Sequence, residues 1–198
     1  MAKTIEFFFD YGSPFSYLAH IQLPGFAKRN GATVVYRPIL LGAVLKATAN
    51  SSPMSVPAKA RYMGTELKRW AARYGVRFAL NPHPFLGNTL ALMRGAVAAR
   101  HLGAFPAYNE AIFRAIWAEG LDLGNPAVLA GVTHRAGLDP AGLAANSDRP
   151  EIKDELRRNT DEAVARGAFG APTIFVGDEM FWGNDRFDFV EEALRKSG

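Results

Sequence analysis

The strongest structural signal in this chain is a strand, a tight turn and a helix start near the N-terminus. Residues 5–9 are apolar or aromatic apart from Glu6, as in a buried strand. Gly12 follows in the turn, and Ser13 then precedes Pro14, an order of residues typical of a helix start. We therefore expect the Ser13 hydroxyl where free backbone N–H groups and the helix dipole favour an anion. Taken alone, the two residues also fit an ordinary helix start with no further role.

A second strand signal lies near the far end of the chain. Pro172 opens the β-branched and aromatic run at residues 173–176. Because proline cannot donate to a sheet ladder, we expect it at the first residue of a strand or at an edge. The turn residues at 177–179 then predict a hairpin with a short partner strand. Asn184 and Asp185 are candidate caps for a last helix.

Together the two ends predict the thioredoxin fold, in which a proline after a cis peptide bond faces the active group at a helix start. Cis peptide bonds are essentially confined to X-Pro, so we expect one between Ala171 and Pro172. Redox members of this fold carry Cys-x-x-Cys at the helix start, where this chain has serines at both ends of residues 13–16. The chain contains no cysteine. Dithiol exchange is therefore excluded, and any thiol that it uses comes from outside.

Between the two ends the sequence predicts helices almost throughout. The first helix is expected from residue 14 to about residue 28, with a break or kink at Pro24, and a second strand at residues 32–39. Further helices are expected at residues 41–49, 57–74, 89–101, 105–119, 126–135 and 150 to about 166, with a short turn from residue 140. The fold class is therefore α/β, a discontinuous thioredoxin-like domain (1–40 and 167–198) interrupted by an all-helical insertion domain (41–166).

Composition and charge argue against several classes of function. The net charge is only +4 over 198 residues and there is no basic run, so nucleic acid is not an expected partner. No apolar run approaches the ~18–20 residues of a membrane span, and no secretory signal is present, so we expect a cytoplasmic protein without a membrane partner. The four histidines lack metal-ligand spacing, so no metal is assigned. A modest positive charge suits a small anionic substrate.

Two polar residues of the insertion are candidates for holding such a substrate. Lys46 and Asn50 are four positions apart and share one helical face if the helix extends that far. An ammonium and an amide on one face suit a carboxylate and a carbonyl. A solvated lysine and a helix-ending asparagine are the alternative interpretation. Phe85 lies in a predicted loop at residues 78–87, where an aromatic side chain is equally typical of a hydrophobic core.

The chain as a whole resembles the 2-hydroxychromene-2-carboxylate isomerases, in the superfamily of kappa-class glutathione transferases and thioredoxin-like disulfide oxidoreductases. The resemblance is carried by residues 9–19, 68–75, 169–173 and 177–186. It spans essentially the whole chain, and the last of these segments is the most specific.

This resemblance implies a glutathione-dependent enzyme of aromatic (naphthalene) catabolism. Such an isomerase interconverts 2-hydroxychromene-2-carboxylate and trans-o-hydroxybenzylidenepyruvate by reversible addition of the glutathione thiolate. Ser13 would activate the thiol without forming a covalent bond itself. The resemblance also implies a homodimer and a small anionic aromatic substrate.

The resemblance further assigns residues to the two ligands. It implies that glutathione binds to Ser13 and to the backbone around Ala171 and Pro172, and that its γ-glutamyl end binds to a four-residue segment. The residues of that segment are Trp182, Gly183, Asn184 and Asp185. Lys46, Asn50 and Phe85 would face the substrate. For Asn184 and Asp185, helix capping alone is the alternative.

Two other functions remain open at this stage. A kappa-like glutathione transferase or peroxidase would use the same activated thiolate on other electrophiles and would consume glutathione. A non-catalytic binding domain on a thioredoxin scaffold would do neither. The fold alone does not separate these functions, because function lies in the site.

Overall fold

The computed structural model describes residues 3–83 and 88–196, which form one sheet and a set of helices. The strands are β1 (Lys3–Phe9), β2 (Ala32–Pro38), β3 (Thr173–Val176) and β4 (Glu179–Trp182). The helices are α1 (Pro14–Asn30), α2 (Leu41–Ala47), α3 (Pro57–Tyr74), α4 (Leu90–His101), α5 (Phe105–Trp117), α6 (Pro126–Arg135), α7 (Pro140–Ser147), α8 (Pro150–Ala165) and α9 (Phe187–Lys196), with a 3₁₀ turn at Pro53–Ser55. The turn predicted from residue 140 is thus a helix.

The four strands lie in the order β2-β1-β3-β4. β1 runs parallel to β2, which follows it through α1, and antiparallel to β3. β3 and β4 form the predicted hairpin. The predicted α/β class, a thioredoxin-like fold with a helical insertion, is confirmed. The bounds of the two domains within it stay a prediction.

The central strand β1 is buried on both faces, which explains why its sequence is aromatic without alternation. Phe7, Phe8 and Phe9 are each 0% exposed. Phe7 and Phe9 stack on each other, with ring centroids 5.5 Å apart, in a core that continues into α4 and α5. Phe8 points to the opposite face and packs edge-on against Phe175, 5.5 Å away. β1 therefore joins two hydrophobic clusters.

Of the predicted break or kink at Pro24, the break does not occur, because α1 continues from Pro14 to Asn30. Pro24 lies on the exposed side of the helix, whereas Leu23 and Phe26 are buried in the core. Tertiary packing of the apolar residues thus holds the helix across a residue that lacks a backbone donor. The helix ends at Gly31, whose φ of 61° is the left-handed conformation of a C-cap.

A charged cluster on β1 fastens the sheet to the end of the insertion. The Glu6 carboxylate accepts hydrogen bonds from Arg37 Nη2 on β2 at 3.0 Å and from Arg166 Nη1, just after α8, at 2.7 Å. Arg166 also donates to the Gly177 carbonyl at 2.8 Å. Burial acts to raise the pKa of Glu6, but the two guanidinium groups outweigh it and hold that pKa below the ordinary value of 4.5.

We expect Glu6→Gln to lower the free energy of unfolding at neutral pH by on the order of 1 kcal/mol. Because the folded-state pKa of Glu6 is lowered, its contribution is present above the unfolded-state pKa and is lost as pH falls through the folded-state value. The difference between wild type and variant should therefore shrink below about pH 4.5. Urea unfolding over a pH series measures this, with Glu191→Gln, which removes an exposed i,i+4 pair with Arg195, as the control. A difference that does not change with pH would contradict the assignment.

Candidate active site

Ser13 is the N-cap of α1, as the sequence predicts. Its backbone is extended (φ −96°, ψ 114°), and its Oγ accepts a hydrogen bond from the Ser16 N–H at 3.1 Å. Pro14 occupies the first helical position. The side chain is buried, with 4% of the residue exposed. The hydroxyl therefore lies among the unsatisfied N–H groups at the positive end of the helix dipole.

The Ser13 hydroxyl also joins the two ends of the chain. Its Oγ donates to the Ala171 carbonyl at 2.9 Å. Ala171 precedes Pro172, and the peptide bond between them is cis, as predicted. The hydroxyl proton can rotate about the Cβ–Oγ bond, so the same group can turn from this carbonyl towards an anionic ligand. This is the arrangement that a thioredoxin-fold site requires, with oxygen in place of sulfur.

A buried carboxylate supports the turn before Ser13. Asp10 is 2% exposed, and its Oδ1 accepts from the Gly12 N–H at 2.8 Å and from Thr89 Oγ1 at 2.7 Å. Its Oδ2 accepts from the Leu41 N–H at 2.8 Å. Burial raises the pKa of Asp10, while the three hydrogen bonds act in the opposite direction. The carboxylate thus connects the turn to the first residue of α2 and to Thr89, the N-cap residue of α4.

Neither Asp10 nor Thr89 is among the site residues predicted from the sequence. The local signal for Asp10 is an aspartate two residues before Gly12, a pattern typical of an Asx turn. No local pattern points to Thr89, because its bond to Asp10 spans 79 positions of the chain.

Side chains of α4 and α5 make three hydrogen bonds with Tyr11, the residue that follows Asp10 in the turn. The Tyr11 N–H donates to Met93 Sδ at 3.4 Å, and the Tyr11 carbonyl accepts from Trp117 Nε1 at 2.9 Å. The Tyr11 hydroxyl donates to Asn109 Oδ1 at 2.9 Å. Tyr11 is fully buried. The insertion therefore fixes the backbone from which Ser13 projects.

The segment after β4 lies beside the cis-proline. The Gly183 N–H donates to the Pro172 carbonyl at 3.1 Å. Trp182 is half-exposed, and its ring packs against Phe169 with centroids 5.0 Å apart. Two of the four residues predicted for the γ-glutamyl end of glutathione thus contact the region around Ala171.

Asn184 and Asp185 do not cap the last helix, which begins only at Phe187. Asn184 is buried, and its Nδ2 donates to the Tyr74 hydroxyl at 3.3 Å. The Asp185 carboxylate accepts from Arg186 Nη1 at 2.7 Å. Capping is therefore wrong as an explanation of these residues, and their place in a ligand site stays a prediction.

Lys46 and Asn50 do not share a helical face. α2 ends at Ala47, and Ala49 has a φ of 52°, so the chain leaves the helix before Asn50. Asn50 Nδ2 instead donates to the Phe169 carbonyl at 3.0 Å, which places this side chain beside the cis-proline segment. Lys46 is exposed and has no ion pair with any residue of the described ranges. Phe85 lies outside the described residues.

Within residues 3–83 and 88–196, no group of three or more His, Cys, Asp or Glu side chains lies close enough to hold a metal ion. No helix in these ranges is both long and apolar enough to cross a bilayer.

Comparison with known proteins gives one consistent family. Residues 4–195 match the DSBA-like thioredoxin domain. The chain is 39% identical to the 2-hydroxychromene-2-carboxylate isomerase of Sphingobium xenophagum, over 98% of this chain and 99% of that protein. It is 26% identical to human glutathione S-transferase kappa 1, over 98% of this chain and 92% of the transferase.

A solved structure of 2-hydroxychromene-2-carboxylate isomerase agrees with these matches. It superposes with a TM-score of 0.87 at 31% sequence identity, covering 98% of this chain and 95% of the other. Both the sequence and the fold are therefore shared over nearly the full length. The chain belongs to the DSBA-like thioredoxin family and, within it, to the group that contains the 2-hydroxychromene-2-carboxylate isomerases and, more distantly, the kappa-class glutathione transferases.

Proposed function

We propose that the protein is a glutathione-dependent isomerase that interconverts 2-hydroxychromene-2-carboxylate and trans-o-hydroxybenzylidenepyruvate. We further propose that it works as a cytoplasmic homodimer in aromatic (naphthalene) catabolism. The observation that carries the proposal is the Ser13 hydroxyl, held at the N-terminus of α1 and bonded to the carbonyl before a cis-proline in a chain without cysteine. The relatives named for this reaction support the choice of substrate.

The reaction requires a carbon–carbon double bond to become single for long enough to rotate. Glutathione supplies the thiolate that adds reversibly to this bond. The chain offers no thiol of its own, so an external one fits both the chemistry and the sequence. The Ser13 hydroxyl, the helix N-terminus and the backbone of Ala171, just before β3, support a site for the cysteinyl residue of a short peptide.

In this proposal, the Ser13 hydroxyl stabilises the thiolate of bound glutathione. A free thiol is mostly protonated near neutral pH, so the site must favour its anion. The Ser13 O–H turns from the Ala171 carbonyl and donates to the sulfur, while Oγ keeps its bond from the Ser16 N–H. That second bond polarises the hydroxyl and strengthens it as a donor. The positive end of α1 adds to the stabilisation of a negative charge.

The rest of the glutathione site is proposed from the segments that meet at the cis-proline. The backbone of Ala171 and Pro172 pairs with the cysteinyl part, and Trp182 to Asp185 hold the γ-glutamyl end. The Gly183–Pro172 hydrogen bond supports this, because it holds the two segments side by side. The Asp185 carboxylate is positioned near Arg186 and accepts from the α-amine of the ligand in this proposal.

The substrate carboxylate is assigned to Lys46. This ammonium group is exposed and has no ion pair within the described ranges, so it is free to pair with an anion. We propose that Asn50 also contacts the substrate. Its amide donates to the Phe169 carbonyl, which holds the segment after α2 beside the cis-proline. Phe85 is proposed from the family resemblance alone, as an aromatic neighbour of the substrate.

A kappa-like transferase or peroxidase is the second candidate, favoured by the 26% identity to human glutathione S-transferase kappa 1. It would use the same Ser13-bound thiolate but would consume glutathione. A non-catalytic thioredoxin-fold binding domain is the third candidate. It would turn over neither 2-hydroxychromene-2-carboxylate nor any other electrophile.

The proposed function is tested by following the absorbance of 2-hydroxychromene-2-carboxylate with purified protein, with and without reduced glutathione. We expect conversion only with glutathione, and an unchanged concentration of glutathione at the end. Loss of glutathione in step with substrate would replace the isomerase by the transferase. The absence of conversion, together with glutathione binding, would move the activity to another electrophile, and the absence of binding would favour the third candidate.

Ser13→Ala should keep the fold and lose most of the turnover, by about 10²-fold or more, because the thiolate loses its hydroxyl donor. The loss of the N-cap should lower stability by about 1 kcal/mol. Ser16→Ala is the matched control. Ser16 is fully buried in the first turn of α1, but its Oγ has no hydrogen-bond partner in the described structure. Steady-state kinetics and thermal unfolding measure both variants. Equal activity of Ser13→Ala and Ser16→Ala would remove Ser13 from the mechanism.

Lys46→Gln should raise KM for the anionic substrate by about tenfold and leave kcat within a few-fold, because the lost interaction binds the carboxylate rather than the reacting atoms. Lys28→Gln is the control. Lys28 is also exposed but lies near the opposite end of α1 from Ser13. An unchanged KM in Lys46→Gln would withdraw this residue from the substrate site.

A further inference from the structure

A cleft lies between four helices of the insertion, and the proposed active-site residues are not part of its lining. It has a volume of about 260 Å³ and is bounded by α4, α5, α6 and α7. Leu129 and Leu143 supply apolar walls, and Tyr108 forms part of the lining. The Tyr108 ring also packs against Tyr11, with centroids 6.1 Å apart. Tyr108 therefore lies between the cleft and the turn that precedes Ser13.

Most of the polar side chains that line the cleft already have partners. The hydroxyls of Tyr108, Thr133 and Ser147 each donate to a backbone carbonyl, at 2.9, 3.0 and 2.7 Å. Asp148 is on the rim, where 80% of its side chain is exposed and Lys153 Nζ lies 3.4 Å from it. None of these groups needs a ligand to complete its hydrogen bonds.

Arg94 is the exception. It lines the cleft and is half-buried, and its Nε is shielded from solvent without a hydrogen-bond partner. No carboxylate of the described residues lies within ion-pair distance of its guanidinium group. The Arg94 guanidinium group therefore has N–H donors that no described protein group uses, and a carboxylate is the acceptor that matches their geometry. The cleft thus combines one cationic donor with apolar walls.

We propose that this cleft binds a small organic carboxylate with an apolar body. The carboxylate accepts charge-assisted hydrogen bonds from the Arg94 guanidinium group, and the apolar part packs between Leu129 and Leu143. An apolar cavity of about 150 Å³ is enough to bind benzene, so this cleft has room for one substituted ring. An inorganic anion would leave the apolar walls in contact with water, which favours an organic acid. The site is independent of the proposed isomerase function.

Benzoate is the probe, and the methyl NMR signals of Leu129 and Leu143 are the readout, because they report on the cleft and not on the site at Ser13. Wild-type protein should show saturable shifts of both signals. Arg94→Gln should weaken the affinity by about 10- to 100-fold, since it removes the charge and the terminal N–H donors but keeps a polar group near the position of Nε. Benzamide, the neutral analogue, should bind wild type as weakly as benzoate binds Arg94→Gln.

A second variant keeps the test independent of any effect of Arg94 on folding. Ala144 is an exposed residue of α7 in the cleft lining, so Ala144→Leu fills space without disturbing the core. It should also weaken benzoate binding, whereas Lys46→Gln, at the proposed substrate site, should leave the shifts of Leu129 and Leu143 unchanged. Equal affinity for benzoate and benzamide, or unchanged affinity in Arg94→Gln, would overturn the proposal. So would the absence of saturable shifts in the wild type.

Discussion

The arrangement of this protein depends on one buried carboxylate at the end of the central strand. Asp10 accepts three hydrogen bonds, from the turn that follows it, from the first residue of α2 and from the N-cap residue of α4. α2 has Leu40 at its N-cap position, with no side-chain acceptor, and Asp10 supplies the missing acceptor to Leu41. Burying a carboxylate in a core is costly unless its oxygens accept hydrogen bonds. Here three donors bond to the oxygens of Asp10. One side chain thereby sets the insertion against the sheet.

The position of the candidate catalytic group follows from that constraint. The turn between β1 and α1 is held by Asp10 on one side and by the contacts of Tyr11 with α4 and α5 on the other. Ser13 emerges from this turn already bonded to Ala171, at the far end of the sequence. A hydroxyl that is fixed in this way needs little reorganisation to meet a thiolate, which is the condition for electrostatic stabilisation of a charge. The insertion therefore fixes the turn through these hydrogen bonds, and it also contains the residues proposed to bind the substrate.

Local chemistry explains what could be predicted from the sequence. The helix start at Ser13, the cis bond before Pro172 and the β3–β4 hairpin each depend on neighbouring residues and on the backbone limits of proline. Other features depend on contacts between distant segments. α1 continues without a break through Pro24, where buried neighbours hold it, and Asn50 lies beyond the end of α2, where its amide donates to the Phe169 carbonyl. Two of the three partners of Asp10 could not be predicted from local sequence, since they lie 31 and 79 positions away in the chain.

In the proposed function, a thiolate stabilised by the Ser13 hydroxyl lies at the N-terminus of α1. The measurement that tests this most directly is the pKa of the glutathione thiol in its complex with the protein, followed by thiolate absorbance over a pH series. We predict a pKa below the value of about 8.5 for a free thiol, and a rise of about 1 to 2 in the Ser13→Ala complex. The same pKa in the two complexes would contradict it.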